Sequence, residues 1–381
     1  MASDTTGIAA SPVVIVGAGF AGVAAAWAVR EAGARALVFT AHAGSTELYS
    51  GVLDGPAPTP EVVALSRALG LVTSAEPRAI ATREGLVRRV HGRDQALLDL
   101  EALAGKTIAV ADVGRDEWDG ELLARSYAAS PWARETQTRF RSVAVAALKS
   151  GAERRISPFD FARALDPAAR SDELGRSLSA AARDVDAWLF GPWLGIDANV
   201  AEALTRAAGQ PVGETASAVG GAAGARFVAR RTALFTARGI ECRTQAVRAV
   251  TPDESGGFAV TLAGGERVHA RAVVLAVGGV ASGGVTLGGA AHPMGLSLTA
   301  PVEIELDGDV LDGASWLSGP SFQRQGFRAL EALGIAAGAG RERQPNSALF
   351  ACGDALAAQP RNAFTALSTG ITAGRNALAS P

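Results

Sequence analysis

A glycine-spaced turn between an apolar segment and a run of small residues constrains this sequence most. Four apolar residues, 13–16, lead directly into Gly17, Gly19 and Gly22. In a strand–turn–helix unit, the first glycine permits a tight turn and the second lets the backbone approach a pyrophosphate. The third lets the helix pack closely on the strand. A second strand is predicted at residues 35–40, which gives the β–α–β order of a dinucleotide-binding fold.

The same glycines have a second interpretation, in which the turn only packs a helix against a sheet. Two observations favour the first. A helix that begins at such a turn directs unpaired N–H groups at a phosphate. The pattern also continues through small and apolar positions to Gly33, the length of a longer dinucleotide fingerprint. We therefore expect a dinucleotide or flavin cofactor.

The composition excludes several classes of protein. With 36 basic and 38 acidic residues the net charge is −2, so no basic field is available to attract nucleic acid or an acidic membrane surface. Cys242 and Cys352 are the two cysteines, too few for a four-thiolate iron–sulfur site. No metal site is predicted in this chain.

Residues 1–11 are predicted to form a flexible tail. They lack the charged and apolar regions of a signal peptide, so none is predicted. No run of 18 or more apolar residues predicts a membrane span. We therefore expect a cytoplasmic protein, or one associated with a membrane only through partner subunits.

Three later segments favour a flavin over a nicotinamide. Residues 272–279 form an apolar strand that ends in two glycines, and they resemble the A-T-G strand of flavoproteins with two dinucleotide-binding folds. Residues 346–355 resemble the strand–Gly–Asp motif of that superfamily, where an aspartate carboxylate accepts hydrogen bonds from ribityl hydroxyls. The alternative is that Asp354 caps a turn. Residues 361–367 open a last helix, whose positive end would stabilise charge on a reduced flavin.

These pieces follow the order expected for FAD, with Val247 in the strand whose backbone meets the adenine in related proteins. The resemblance implies an α/β fold: a discontinuous, Rossmann-like cofactor domain of the glutathione-reductase type with an inserted cap. We expect the cofactor domain to comprise residues 12–64 and 216–381, and the cap to comprise residues 65–215. Within the cap, apolar residues at 185–189 repeat at helical spacing and predict a helix.

One feature departs from the usual FAD site. The strand at 35–40 is followed by Thr40 and Ala41 rather than by the Asp or Glu that normally holds the adenosine ribose. Either other groups hold the ribose, or the cofactor lacks the adenosine half, as FMN does.

The segment 40–55 also resembles the region after the second strand in the accessory flavoprotein subunit of anaerobic glycerol-3-phosphate dehydrogenase. That family lacks the acidic residue as well and carries a G-x-S/T…S-G-x-x-D pattern, which includes Ser50 and Gly51 here. Residues 191–195, 212–238 and 275–289 add weaker matches. The resemblance implies a flavin-carrying subunit that works with a second, catalytic flavoprotein subunit and an iron–sulfur subunit. Electrons would pass from glycerol-3-phosphate toward menaquinone.

The predicted site residues follow from these motifs. His292 is the catalytic candidate, as an acid or base beside a flavin, and a surface-loop histidine is its alternative. Arg226, Arg230 and Arg231 share one predicted helix and form either a phosphate-binding group or an exposed helix face. The predicted cofactor contacts are Gly17, Ala18, Gly19, Phe20, Ala21, Gly22, Thr40, Ala41, Thr46, Ser50, Gly51, Val247, Ala276, Val277, Gly278, Gly353, Asp354, Asn362 and Ala363.

Three functions remain open at this point. The preferred one is an electron-transferring flavoprotein subunit of a multi-subunit dehydrogenase. The first alternative is a stand-alone FAD-dependent dehydrogenase or oxidase of a small-molecule substrate. The second is a non-catalytic structural subunit that retains the fold without binding a flavin.

Overall fold

The chain divides into two compact units. The discontinuous unit comprises Met1–Thr46 and Arg231–Pro381, and the inserted unit comprises Glu47–Arg230. The sequence-based boundaries differ, because they assign residues 47–64 and 216–230 to the cofactor domain. The computed structural model describes residues 11–41, 43–181, 184–254, 256–279, 282–284, 348–356 and 359–379, and the backbone of 286–288, 297–299, 303–306 and 309–311.

The helices and strands are numbered along the chain. Through residue 214 they are β1 (Val13–Val16), α1 (Phe20–Glu31), β2 (Ala36–Phe39), β3 (Val52–Leu53), α2 (Pro60–Ala68), β4 (Leu71–Ala81), β5 (Val87–Asp94), β6 (Thr107–Asp112), α3 (Gly120–Ala128), α4 (Pro131–Thr136), β7 (Arg139–Ala144), α5 (Pro158–Leu165), α6 (Ala168–Ala181), β8 (Ala187–Phe190), α7 (Val200–Ala208) and β9 (Val212–Glu214). They continue with α8 (Ala222–Arg238), β10 (Glu241–Arg243), β11 (Val247–Pro252), β12 (Phe258–Leu262), β13 (Arg267–Ala270), β14 (Ala272–Leu275), β15 (Thr286–Gly288), β16 (Ser297–Thr299), β17 (Glu303–Leu306), β18 (Asp309–Leu311), β19 (Leu349–Ala351) and α9 (Ala363–Ala379). Most of the predicted tail, residues 1–10, lies outside the described residues.

A parallel sheet forms the centre of the discontinuous unit. Its strand order is β10–β2–β1–β14–β19, and every neighbouring pair runs parallel. Strands β1, β2 and β14 consist of buried apolar residues, as expected for a parallel sheet covered on both faces. The order matches the first five strands of a doubly wound dinucleotide-binding sheet, whose switch point lies between β1 and β14. The predicted α/β, Rossmann-like class is confirmed.

A second sheet in this unit has the order β13–β12–β11–β17–β18. The sequence predicts one strand over residues 240–250, but the structure contains two. The first, β10, pairs with β2 in the parallel sheet. The second, β11, begins at Val247 and pairs with β12 in the second sheet.

Helices α1 and α9 pack so closely that two glycines of α9 lie directly against the backbone of α1. A Cβ atom on Gly370 would lie 2.2 Å from the carbonyl oxygen of Ala21, and one on Gly374 would lie 2.5 Å from that of Ala25. No side chain fits in these spaces, so glycine is required for this approach. Helix α9 also contacts β14 and β19, which holds it against the sheet beside the first turns of α1.

The inserted unit contains a parallel sheet of its own, in the order β7–β6–β8–β9, and an antiparallel sheet in the order β3–β5–β4. Helices connect each pair of successive parallel strands. Counted in chain order from β6, these four strands have the order 2-1-3-4, which is the order of the first four strands of a flavodoxin-like doubly wound sheet. Short apolar runs predict strands at residues 106–110 and 142–146, which β6 and β7 overlap, but the sequence does not predict this sheet.

The helix predicted from residues 185–189 is wrong. Residues Ala187–Phe190 form β8, and all four side chains are buried. The strand lies between β6 and β9, so it is apolar on both faces, and a short apolar run of this kind matches helical and strand patterns equally.

Two arginines predicted on an exposed helix face or at a phosphate are instead paired with buried carboxylates. Arg226, which is 2% exposed, pairs with Asp94 and Glu214, which are 0% and 1% exposed. Arg230 Nη1 lies 2.7 Å from Asp94 Oδ2. Burial opposes the ionisation of Asp94, but the two guanidinium groups lower its pKa below the ordinary value. Burial raises the pKa of Glu214 against the opposing effect of Arg226.

This ion cluster ties four segments of the inserted unit together. Arg226 Nη1 also donates to the carbonyl oxygen of Gly195, at 2.7 Å, and Glu214 accepts from the backbone N–H of Leu194, at 2.6 Å. Asp94 ends β5, Glu214 ends β9, and both arginines belong to α8. The cluster therefore joins both sheets of the unit to the helix and to the segment after β8.

We predict that Arg226→Met destabilises the inserted unit by roughly 3–5 kcal/mol, because it leaves two carboxylates buried without their shared partner. Urea unfolding followed by tryptophan fluorescence measures the change. Arg88→Met is the control: Arg88 pairs with Asp54 at the surface, and its loss costs about 1 kcal/mol or less. Equal losses in the two variants would contradict this account.

Candidate cofactor site

The glycine-spaced turn lies at the switch point of the parallel sheet. Gly17 has a φ of +111°, and a Cβ atom on it would lie 2.1 Å from the carbonyl oxygen of Ala276. A Cβ atom on Gly22 would lie 2.0 Å from the carbonyl oxygen of Gly17. The turn thus runs directly against the end of β14 and the start of α1. Three of the predicted cofactor residues, Gly17, Gly22 and Ala276, are adjacent.

Thr46 lies at the N-terminus of α1. Its Oγ1 accepts a hydrogen bond from the backbone N–H of Phe20, at 3.2 Å. A Cβ atom on Gly19 would lie 2.9 Å from the same oxygen. The structure therefore brings Gly19, Phe20 and Thr46 together. A hydroxyl that accepts one hydrogen bond still has a proton to donate, so Thr46 can present a donor at this helix end.

Arg231 contacts the turn from α8. Its Nη1 donates to the carbonyl oxygen of Ala18, at 3.0 Å. Since the C=O and N–H of a trans peptide point in opposite directions, the N–H of Gly19 points away from Arg231. The guanidinium fixes the orientation of this peptide and adds a positive charge beside the turn. The sequence places Arg231 on a helix but gives no signal for this contact, because its partner is a distant backbone oxygen.

The Gly353–Asp354 motif lies against the same helix. Gly353 has a φ of +64°, and a Cβ atom on it would lie 2.6 Å from the Cβ of Ala21. Gly279, after β14, approaches Asp354 closely enough that a Cβ on it would lie 2.9 Å from the Asp354 carbonyl oxygen. Pairing of β19 with β14 sets this position. The structure thus joins the N-terminal turn, the end of β14 and the C-terminal motif.

Arg361 faces Asp354. One of its nitrogens donates to the Asp354 carbonyl oxygen and lies 3.9 Å from the carboxylate. Burial raises the pKa of Asp354, and Arg361 offsets part of that effect. The carboxylate is therefore half-buried, next to a cation, and retains room to accept further hydrogen bonds. The sequence motif identifies Asp354 but assigns no such role to Arg361.

Asn362 and Ala363 are at the start of α9. The side-chain oxygen of Asn362 accepts from the backbone N–H of Thr365, at 2.9 Å, and so caps the helix. Thr369 Oγ1, one turn later, accepts from the N–H of Gly353, at 2.9 Å. These bonds fix the motif relative to the N-terminus of α9.

The other predicted cofactor contacts stay predictions. The N–H of Thr40 donates to the carbonyl oxygen of Arg243, at 3.0 Å, and Val247 lies in the second sheet. Ser50 and Gly51 belong to the inserted unit. Ala41, Val277 and Gly278 follow β2 and β14, and their cofactor contacts stay predictions. His292 lies outside the described residues.

The inserted unit's own switch point is filled by side chains. Arg115, three residues after β6, donates to the carbonyl oxygen of Glu153, at 2.6 Å. Its guanidinium lies 4.6 Å from the ring centre of Phe161 and 5.1 Å from that of Trp193. Trp193, three residues after β8, packs edge-on against Trp118. These four side chains are buried and occupy the crevice.

Three further observations bear on chemistry. Burial raises the pKa of the Cys352 thiol to about 12, so it remains protonated at neutral pH, as an apolar core residue would. Within the described ranges, no group of three or more His, Cys, Asp or Glu side chains is arranged to hold a metal ion. The helices of that part of the chain include none long and apolar enough to cross a membrane.

Comparison with known proteins finds weak structural similarities. No protein-family model matches the sequence, and no curated protein matches it. A glycine oxidase from Geobacillus kaustophilus is 14% identical, with a TM-score of 0.35 over 97% of this chain and 95% of that one. A redesigned putrescine oxidase is 15% identical, with a TM-score of 0.34 over 97% and 99%. Iminodiacetate oxidase from Chelativorans sp. BNC1 is 14% identical, with a TM-score of 0.26 over 72% and 59%. TM-scores this low do not by themselves indicate a function for this chain.

We predict that Thr46→Val lowers the free energy of unfolding by about 1 kcal/mol, because the N–H of Phe20 loses its acceptor at a helix N-terminus. Thr46→Ser keeps the hydroxyl and should lose less than half as much. Urea unfolding of the two variants and the unaltered protein makes the comparison. A greater loss in Thr46→Ser than in Thr46→Val would contradict this account, because it would assign the effect to packing of the methyl group, which valine keeps and serine lacks.

Proposed function

We propose that this protein is a flavin-dependent oxidoreductase that binds FAD in its discontinuous unit. The observation that carries the proposal is the convergence of three segments on the first turn of α1. These are the Gly17–Gly22 turn, Thr46, and the Gly353–Asp354 motif. They come from opposite ends of the chain, and a turn that only packed a helix would not require the other two.

The turn fits a diphosphate. Gly19 has no Cβ atom to hold a phosphate away from the backbone, and the N-terminus of α1 carries partial positive charge. The Thr46 hydroxyl accepts from Phe20 and can donate its own proton to a phosphate oxygen. Arg231 adds a full positive charge one peptide away. A diphosphate favours FAD, while the absence of an acidic residue at Thr40 and Ala41 keeps FMN as the alternative.

Asp354 fits the sugar portion of the cofactor. Its carboxylate accepts hydrogen bonds only, and the hydroxyls of a ribityl chain are donors. A bound flavin would supply two-electron oxidation and reduction. The chain's residues would hold it, orient it and limit its contact with water. His292, as an acid or base beside the flavin, is part of the same proposal.

Within this function, we propose an electron-transferring subunit similar to the accessory flavoprotein subunit of anaerobic glycerol-3-phosphate dehydrogenase. The support is the resemblance of residues 40–55 together with the missing acidic residue, which that family shares. Its partners would be a second flavoprotein subunit, the catalytic one, and an iron–sulfur subunit. A stand-alone dehydrogenase or oxidase of a small molecule uses the same cofactor site and is the alternative.

We expect Asp354→Ala to weaken flavin binding by roughly tenfold to a hundredfold, because hydrogen bonds to a charged group contribute about 1.5–3 kcal/mol. Fluorescence of the released flavin measures the dissociation constant, and mass spectrometry identifies it as FAD or FMN. Asp253→Ala, at a similarly exposed position just after β11 in the same unit, should retain the flavin as the unaltered protein does.

The same site predicts a pH dependence. The ionised carboxylate strengthens binding, so flavin affinity should fall as the pH drops through the raised pKa of Asp354. Arg361→Gln removes the opposing charge and should move the loss to higher pH. Flavin retention that is unchanged in Asp354→Ala at every pH would remove this residue from the site. A protein that stays colourless with excess FAD and FMN would end the flavin proposal and favour a structural subunit.

Reduction experiments separate the two enzyme functions. If the chain is a relay, glycerol-3-phosphate should bleach the flavin absorbance only when the partner subunits are present. If it is a stand-alone enzyme, a small-molecule substrate should bleach it in the purified chain under anaerobic conditions. Photochemical reduction in the absence of substrate is the control, since it shows that the flavin is redox-competent in either case.

A further inference from the structure

The pairing of β4 and β5 in the inserted unit contains a large irregularity. Thr73 pairs with Gly92, and the next pair is Arg78 with Val90. Between these two pairs the chain advances five residues on β4 but only two on β5, so β4 contains three additional residues. Pro77 lies within this stretch, and proline cannot donate to a strand ladder. The additional residues leave the ladder and open a space beside β5, a kind of distortion that is frequent near binding sites.

That space is a cavity of about 220 Å³. His91 Nδ1 lies 3.1 Å from the carbonyl oxygen of Ser74, across the irregular stretch. The polar side chains that line the cavity are those of Thr73, Ser74, Arg78, His91, Arg93 and Asp99.

Positive charge exceeds negative charge among these residues. Both Arg78 and Arg93 face Asp99, the one carboxylate in the lining. Arg78 makes close contacts with it, with Nε 3.0 Å and Nη2 2.9 Å from Oδ2. Arg93 Nη2 lies 3.7 Å from that oxygen, beyond hydrogen-bond distance, and its Nη1 donates to the carbonyl oxygen of Leu97, at 2.8 Å. The carboxylate is thus committed mainly to Arg78.

Arg93 is the less compensated of the two. Its side chain is 15% exposed, and burial lowers the pKa of its guanidinium, although Asp99 and Asp94 raise it in part. A guanidinium presents a planar fork of donors that matches the oxygens of a carboxylate or a phosphate. An added anion would supply the charge that the lining lacks.

We propose that this cavity binds a compact oxyanion, with Arg93 and Arg78 as its charged donors and the hydroxyls of Thr73 and Ser74 as neutral ones. The ligand is the phosphate or the carboxylate group of a small molecule. The site lies wholly within the inserted unit and does not depend on the proposed flavin function.

Calorimetric titration of the protein as purified, at constant ionic strength, tests the proposal. Inorganic phosphate and acetate are titrated separately, which distinguishes the two sources of oxyanion. At least one should bind, and Arg93→Gln and Arg78→Gln should each weaken that binding roughly tenfold or more. Arg89→Gln is the matched control. Arg89 lies on the same strand, is 54% exposed and faces Glu101, and the variant should bind within twofold of the unaltered protein.

Arginine footprinting gives a residue-level measurement without any substitution. Phenylglyoxal modifies accessible guanidinium groups, and peptide mass spectrometry should show that the bound anion protects Arg78 and Arg93 but not Arg89. This footprinting measurement remains informative even if the Arg93→Gln variant does not fold. The absence of binding by both anions at millimolar concentration would overturn the proposal. So would binding that persists in both arginine variants but is lost in Gly19→Val, because it would place the anion at the glycine turn.

Discussion

The close approach of the Gly17 turn to the end of β14 is the constraint on which the candidate site depends. At this distance a single added carbon would collide with the carbonyl oxygen of Ala276. Because β14 also pairs with β19, the same strand that closes on the turn positions the Gly353–Asp354 motif. Helix α9 then packs on α1 through Gly370 and Gly374, so the glycine turn and the Gly353–Asp354 motif lie close together beyond the carboxyl ends of β1 and β19.

The inserted unit is organised by a different interaction. Two buried carboxylates and two arginines connect both of its sheets to α8, and their charges are matched within the cluster. The cavity beside the β4 irregularity lacks that balance, with two guanidinium groups around one carboxylate. Arginines therefore hold the inserted unit together in the ion cluster, where each has a carboxylate. Beside the β4 irregularity, two arginines share the one carboxylate of the cavity lining, so positive charge is in excess there.

Local patterns predict the part of the fold in which sequence neighbours determine structure. The strand, turn and helix at residues 13–31 follow from glycine spacing, and the strands at β6, β14 and β19 follow from short apolar runs. The 185–189 segment was misassigned because burial on both faces removes the alternation that identifies a strand. The domain boundaries differ for another reason: contacts at residues 47–64 and 216–230 depend on packing that composition does not reveal.

The residues of the candidate site also divide into those that the sequence identifies and those that only the structure reveals. Glycines and Asp354 are recognisable because their chemistry requires a particular residue type at a particular spacing. Arg231 and Arg361 are not, because each binds a backbone oxygen that any residue can supply. Arg226 and Arg230 lie on a helix with the periodicity of a surface face, and only the three-dimensional structure places Asp94 and Glu214 opposite them.

The hydrogen bond from Phe20 to Thr46 has a consequence for the protein before any nucleotide binds. A helix end that waits for a phosphate would leave a backbone donor unsatisfied in the newly made chain, but here a threonine from the same polypeptide already meets it. This hydrogen bond does not depend on a bound nucleotide. A flavin that binds as proposed would therefore meet a helix N-terminus at which the N–H of Phe20 already has an acceptor, and the Thr46 hydroxyl would still have its proton to donate.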